Sequence, residues 1–192
     1  MPSQLDPVSM PQVISNAVHE VHGLAQRPDQ ITVDCTSNAK ILGIEGELYS
    51  VCVNLLSNAL RYSQDGSPVE ISWRALPPGE DEHTEPTDEE AAEPAKIRLL
   101  VKDAGVGIAP EHLHRITERF YRVDMADART RGGTGLGLAI VKHVLRRHNS
   151  ELHVSSVVGE GSEFYCDFTA ASLPELTSHS PSARATRMES DA

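Results

Sequence analysis

No Gly-Lys pair occurs anywhere in this 192-residue chain, which excludes a Walker A phosphate loop whatever its glycines do. Aromatic residues are scarce at 4%, and there are only three cysteines, Cys35, Cys52 and Cys166, with no CxxC spacing. An odd, scattered set of thiols excludes a disulfide framework or a zinc ribbon; free buried thiols in a reducing compartment are expected. No run approaches the roughly 20 apolar residues of a membrane span, and no signal-peptide pattern opens the chain. The chain is therefore expected not to insert in a membrane. Positive charge is also in deficit. Seventeen basic residues face 28 acidic ones, a formal net charge of -11, and no basic patch argues for nucleic acid.

The deficit is local. Eight acids (Glu80, Asp81, Glu82, Glu85, Asp88, Glu89, Glu90 and Glu93) crowd one Pro-flanked stretch without Lys or Arg, and setting them aside leaves 17 basic against 20 acidic residues, or -3. Low hydrophobicity and like charge predict a disordered acidic insertion over residues 77–95. Residues 172–192, rich in Ser, Thr and Pro, read as a disordered tail. Residues 1–171 remain as one domain with ample core.

Hydrophobic periodicity marks the elements of that domain. Val13, Ile14, Ala17, Val18, Val21 and Leu24 recur helically from Pro11 until Arg27-Pro28. Ile31, Val33 and Cys35 alternate as a strand, and Ile41-Leu42 suggests a short second one. Val69, Ile71 and Trp73 alternate, as do Ile97, Leu99 and Val101, so these runs are expected to pair with the insertion looped out between them. Gly135 to Arg147 reads as a helix, and Leu152–Val154 with Phe164–Phe168 as a hairpin closing around Gly159-Glu160-Gly161. From Ala104 to Thr134 periodicity fades, apart from a short helix around Glu111 to Ile116. A loop this long in a compact domain is an active-site lid or disorder.

The most informative segment is Glu47 to Tyr62. Leu48, Val51, Cys52, Leu55 and Ala59 form an apolar helical stripe, while Asn54, Asn58, Arg61 and Tyr62 share a second face. Asn is a poor helix former and its amide is costly to bury unpaired. Either one alone would be an ordinary capping or loop-satisfying residue; two stacked amides suggest a ligand that uses their oxygens. Downstream, Gly133, Gly135 and Gly137 fall at +2 and +4, whereas a dinucleotide fingerprint needs +2 and +5, and no strand precedes them. What remains is a Gly-rich turn feeding a helix whose N-terminal N–H groups receive phosphates.

In order and spacing, Asn54 with Asn58, then Asp103-Ala-Gly105-Val-Gly107, Arg119-Phe120-Tyr121-Arg122, Gly132-Gly133-Thr134-Gly135-Leu136-Gly137-Leu138 and Gly159-Glu160-Gly161-Ser162, resemble the N, G1, F, G2 and G3 boxes of bacterial sensor histidine kinases. Each box is weak alone; five in register over about residues 6 to 169 are specific. The resemblance implies the Bergerat ATP-binding fold of the gyrase, chaperone, mismatch-repair and histidine-kinase (GHKL) superfamily. That fold is an α/β (α+β) two-layer sandwich, a mixed β-sheet packed on helices, with a mobile ATP lid here over residues 109–133. Arg115 to Asp124 and Gly135 to His143 look closest to phosphate-regulon sensor kinases.

Roles follow from the resemblance residue by residue, with ATP and Mg²⁺ as cofactors. Asp103 is the implied adenine anchor, since a carboxylate accepts from the N6 amino group and repels a guanine carbonyl, and Gly105 and Gly107 let the backbone approach. Asn58 is the implied magnesium ligand. Asn54 stands where ATP-hydrolysing members carry a water-activating Glu; an amide is no general base, so transfer is favoured over hydrolysis. Arg61 and Tyr62 extend that face toward the phosphates, and Gly133, Thr134, Gly135, Leu136, Gly137 and Leu138 receive them. Arg122 resembles the lid arginine that stabilises the transferring γ-phosphoryl, which makes Asn54 and Arg122 the catalytic pair. Arg129 and Arg131 read as solvated lid charges, and Phe120 as an apolar pin for the lid. Asn149-Ser150 stands where the family often has Gly.

His19 precedes Glu20 as an acceptor histidine would, yet His22-Gly23 replaces the basic-Thr-Pro continuation and only 18 residues come before it. It reads as an ordinary helix histidine. The expectation is a cytoplasmic kinase module that passes phosphoryl to a histidine on a dimerisation domain outside this chain. Its parent would be a homodimer at the inner membrane, signalling phosphate starvation through a response regulator. The alternative is a nucleotide-gated interaction module that binds ATP without transferring it.

Overall fold

The computed structural model describes residues 5–25, 30–63, 66–77, 96–123 and 134–171. The expected insertion beyond Pro77, lid residues 124–133 (Arg129, Arg131 and Gly133 among them) and the expected tail lie outside the described residues.

A short strand β1 (Asp6–Val8) leads into helix α1 (Met10–Ala25); β2 (Ile31–Cys35), β3 (Ile41–Gly43) and helix α2 (Glu45–Tyr62) follow. Strands β4 (Val69–Ala75) and β5 (Lys96–Asp103) precede the four-residue helix α3 (Pro110–Leu113), then helix α4 (Gly137–Arg147) and strands β6 (His153–Val157) and β7 (Gly161–Thr169). The main sheet runs β2-β4-β5-β7-β6, with β2 parallel to β4 and the other pairs antiparallel, and β1 pairs with β3 apart from it. Helices α1, α2 and α4 pack together and cover one face. The result is the expected two-layer sandwich of a mixed sheet on helices.

Strand periodicity decides which face is covered. Ile97, Leu99 and Val101 of β5 join Phe164, Cys166 and Phe168 of β7 and Val69, Ile71 and Trp73 of β4 in the core. From α2 the stripe of Leu48, Val51, Cys52, Leu55 and Ala59 meets them, joined by Leu56 and Leu60. On the opposite face, Arg98 makes a bidentate pair with Asp167 directly across the ladder, both contacts at 2.7 Å, and Lys102 pairs with Glu163. A one-residue slip would exchange these two faces, so core and ion pairs specify the same register. Cys52 and Cys166 are buried free thiols, and burial pushes the Cys52 thiol up to about 12.

Three local features depart from the sequence expectation. Strand β1 was not anticipated, because three residues with one buried position carry no period. Helix α4 begins at Gly137 rather than Gly135, whose φ of 69° is left-handed and non-helical. Asn149 adopts φ 52° where the family often has Gly, and Asn tolerates that conformation. Just before it, His148 accepts the Ile44 N–H at Nε2 (3.0 Å) and donates to the Val144 carbonyl from Nδ1 (2.8 Å), locking the end of α4 to the start of α2. His19 sits exposed on α1.

Candidate functional site

The Asn face of α2 leans on the start of α4. The Asn54 side-chain nitrogen donates to the Ser50 carbonyl (2.7 Å) and hydroxyl (3.3 Å), and its oxygen lies against Gly137 of α4. A Cβ on Gly137 would lie 2.8 Å from that oxygen, so the glycine makes room for the amide. Asn58 and Arg61 follow on α2, both half-buried, and Tyr62 is partly exposed. At the helix end the Tyr62 carbonyl accepts the Val106 N–H at 3.2 Å, and a Cβ on Gly105 would sit 2.4 Å from the same oxygen. The Asn helix is thereby buttoned to the glycine turn after β5.

Asp103 ends β5 and is only 5% exposed. Its carboxylate accepts the Gly105 N–H at 2.9 Å. Burial pushes the carboxyl above its ordinary value, while the N–H groups of Gly105 and Ser162 pull it part of the way back. Behind it the backbones touch. A Cβ on Gly161 would meet the Asp103 carbonyl at 2.0 Å, and one on Gly107 the Val157 carbonyl at 2.0 Å. Ser156 ties the two turns together: its hydroxyl accepts the Ile108 N–H (2.8 Å) and donates to the Gly161 carbonyl (2.8 Å). Sequence reasoning missed Ser156; its only signal was a serine inside the closing hairpin.

Over residues 109–123 the expected lid region carries local hydrogen bonds and one core contact. Helix α3 continues into hydrogen-bonded turns, and Ile116 is buried in the core. Phe120, expected as an apolar pin, is 71% exposed and has a left-handed φ of 64°. Its backbone does the joining instead: the Phe120 N–H donates to the Gly135 carbonyl at 2.9 Å, and a Cβ on Gly135 would lie 2.9 Å from the Phe120 Cα. The pinned ring is Tyr121, whose hydroxyl lies 2.7 Å from His112 Nδ1 and whose face lies 4.2 Å from the Arg115 guanidinium. Arg122 follows, half-buried; Thr134 is exposed, and Gly135, Leu136, Gly137 and Leu138 are half-buried.

The structure thus brings together Asn54 with Gly137, Tyr62 with Gly105 and Asp103, and Phe120 with Gly135. An open groove of about 490 Å³ between α3, α4 and β6, lined by Leu113, His114, Lys142, Arg146 and Leu152 among others, shares no residue with this set. Among the described residues no three His, Cys, Asp or Glu side chains converge as a metal site.

This sandwich and its glycine turns define a class. Residues 43–172 match the family described as Histidine kinase-, DNA gyrase B-, and HSP90-like ATPase, and the chain belongs to that family. Within it, the chain is 40% identical over 181 residues to the phosphate regulon sensor protein PhoR of Pseudomonas aeruginosa, covering 94% of this chain and 37% of that protein. It is 39% identical over 178 residues to the sensor-like histidine kinase SenX3 of Mycolicibacterium smegmatis, covering 92% and 41%. The chain therefore spans about two fifths of the length of these relatives. Among solved structures, the mycobacterial sensor histidine kinase MprB matches with a TM-score of 0.67 at 26% identity over 86% of this chain and 97% of that one. Full-length ShkA in complex with AMPPNP matches with a TM-score of 0.67 at 25% identity, over 89% of this chain and 32% of that one.

Proposed function

We propose that this chain is the ATP-binding catalytic module of a two-component sensor histidine kinase, passing the γ-phosphoryl of ATP to a histidine on a dimerisation domain outside residues 1–192. The observation that carries the reading is Asn54. It occupies the position four residues before Asn58 where hydrolysing members hold a general base, and its nitrogen is already committed to Ser50. An amide there orients and does not deprotonate water, so an acceptor brought by another domain receives the phosphoryl.

The chain's own residues supply binding, orientation and charge. Asp103 takes the adenine amino group, with Gly105 and Gly107 letting the base lie against backbone. Arg61, Tyr62, Thr134, Leu136 and the first residues of α4, Gly137 and Leu138, border the phosphates, and Arg122 meets the charge on the transferring group. The donor set fits magnesium that travels with the nucleotide: Asn58 contributes one neutral oxygen, phosphates and water the rest. Bound there, the ion neutralises phosphate charge. Similarity to the phosphate regulon sensor protein PhoR favours phosphate-starvation signalling, and a homodimeric parent at the inner membrane, acting through a response regulator, completes the proposal. No described helix is long and apolar enough to cross a membrane, so membrane attachment would belong to other parts of the parent.

The test mixes this chain with a histidine-bearing dimerisation domain and γ-labelled Mg·ATP. Phosphohistidine is expected on the added domain, with slow hydrolysis by the chain alone. Tight Mg·ATP binding without any transfer would replace the kinase reading with that of a nucleotide-gated interaction module.

A further inference from the structure

Arg122 is the residue on which transfer chemistry depends in the reading above, and the structure restrains its neighbour. With the imidazole proton on Nε2, the Tyr121 hydroxyl donates to His112 Nδ1 at 2.7 Å. The two rings lie 6.1 Å apart at 48°, and Arg115 stacks 4.2 Å over the tyrosine face. His112 is itself fixed. Its N–H donates to the Ala109 carbonyl (2.9 Å), and its own carbonyl accepts from Arg115 (2.9 Å) and from Ile116 (3.1 Å), which is rooted in the core. On the other side of Tyr121, Phe120 leaves its ring in solvent and contributes only a backbone hydrogen bond to Gly135. Tyr121 is therefore a side chain that ties the chain one residue before Arg122 to helix α3.

We infer that His112 and Tyr121 form a positioning pair for Arg122, holding its backbone where the guanidinium reaches the transferring phosphoryl group. This rests on the proposed role of Arg122. Electrostatic stabilisation of a transition state is sensitive to displacements of about an ångström, whereas ground-state nucleotide binding is spread over many contacts. Losing the hydroxyl contact therefore lowers transfer more than affinity. It does not unfold the domain, because Ile116 still anchors the turn.

The experiment uses this chain with the separate dimerisation domain and saturating Mg·ATP. It reads the single-turnover transfer rate, the nucleotide Kd by calorimetry and the thermal midpoint. Tyr121→Phe, which removes only the hydroxyl, and His112→Ala are each expected to slow transfer about fivefold to tenfold, the scale of one hydrogen bond, with Kd changed by less than about twofold. The double variant is expected to be no slower than the slower single one, since both remove the same contact. His112→Asn, which returns a polar atom near the Nδ1 position, is expected to recover most of the rate. Multiplicative losses in the double variant, losses confined to Kd or the thermal midpoint, no loss, or failure of Asn to rescue would each overturn the pair. Arg122→Ala separates the two levels. If it slows transfer more than tenfold while Tyr121→Phe matches wild type, the positioning pair falls and the role of Arg122 stands; if it transfers like wild type, both fall.

Discussion

The two ends of the candidate site are built by different physics. At the Asp103 end, backbone packs on backbone: Gly107 against Val157, Gly161 against Asp103, and Ser156 bonded into both turns. At the α4 end the joins among the described residues include the Phe120–Gly135 hydrogen bond, the Tyr121–His112 contact, the Lys142–Thr117 hydrogen bond at 3.3 Å, and the glycine leaving room for Asn54. The first end is over-determined by close backbone packing. The second is held largely by individual hydrogen bonds rather than backbone-on-backbone packing, so nucleotide is expected to add more there.

Glycine substitutions test that contrast most severely. Gly161→Ala would place a methyl 2.0 Å from the Asp103 carbonyl at a φ of 122°, so it should destabilise the whole domain by at least about 2 kcal/mol in urea unfolding and abolish nucleotide binding. Gly135→Ala, with φ 69° and a nearest atom at 2.9 Å, should cost only about 1 kcal/mol. Equal losses at the two glycines would erase the distinction.

Asp103→Asn should weaken ATP binding by about tenfold to a hundredfold, the value of a charged hydrogen bond. Its effect on stability should carry the opposite sign. Because burial raises the native pKa, Asp103 favours folding fully below the ordinary value of 3.8, and that contribution is lost as pH rises through the raised native pKa. A side chain that cannot ionise avoids this loss, so the variant should be as stable as wild type at pH 7 or more so. Binding by wild type should conversely weaken on acidification from a pH above 3.8. A variant that loses affinity only in step with stability would mark Asp103 as structural.

At the other end, Asn58→Ala should remove the magnesium dependence of binding; an unchanged response to EDTA in calorimetry would show that the ion is held without Asn58. The smallest expected effect is dynamic. A non-hydrolysable ATP analogue should slow amide exchange over residues 117–123 and 134–136, while the Gly105–Ile108 turn, already bonded, changes little. Equal slowing at both turns would mean that neither end is preformed.

Much of this was legible in the chain. Alternation in Val69–Trp73 and Ile97–Val101 foretold the β4–β5 pair, and the α2 stripe foretold the face that now fills the core, because both signals depend only on neighbours a few residues apart. Glycines in three of the five ordered boxes marked where backbone must approach backbone or ligand. What escaped has no local period: β1 is too short, and of the adjacent aromatics Phe120 and Tyr121 sequence alone favours the more apolar as the pin.

The sequence by itself determined the class of fold, the Asn face of α2 and the places that only glycine can occupy. Tertiary structure decided the rest: that Tyr121 rather than Phe120 is fastened, that Ser156 joins turns 48 residues apart in the Ile108–Ser156 bond, and that Asp103 is buried enough to hold its proton more tightly. Those outcomes depend on which distant atoms fill the space around a side chain, and burial, a hydrogen-bond partner and a shifted pKa exist only once that space is filled.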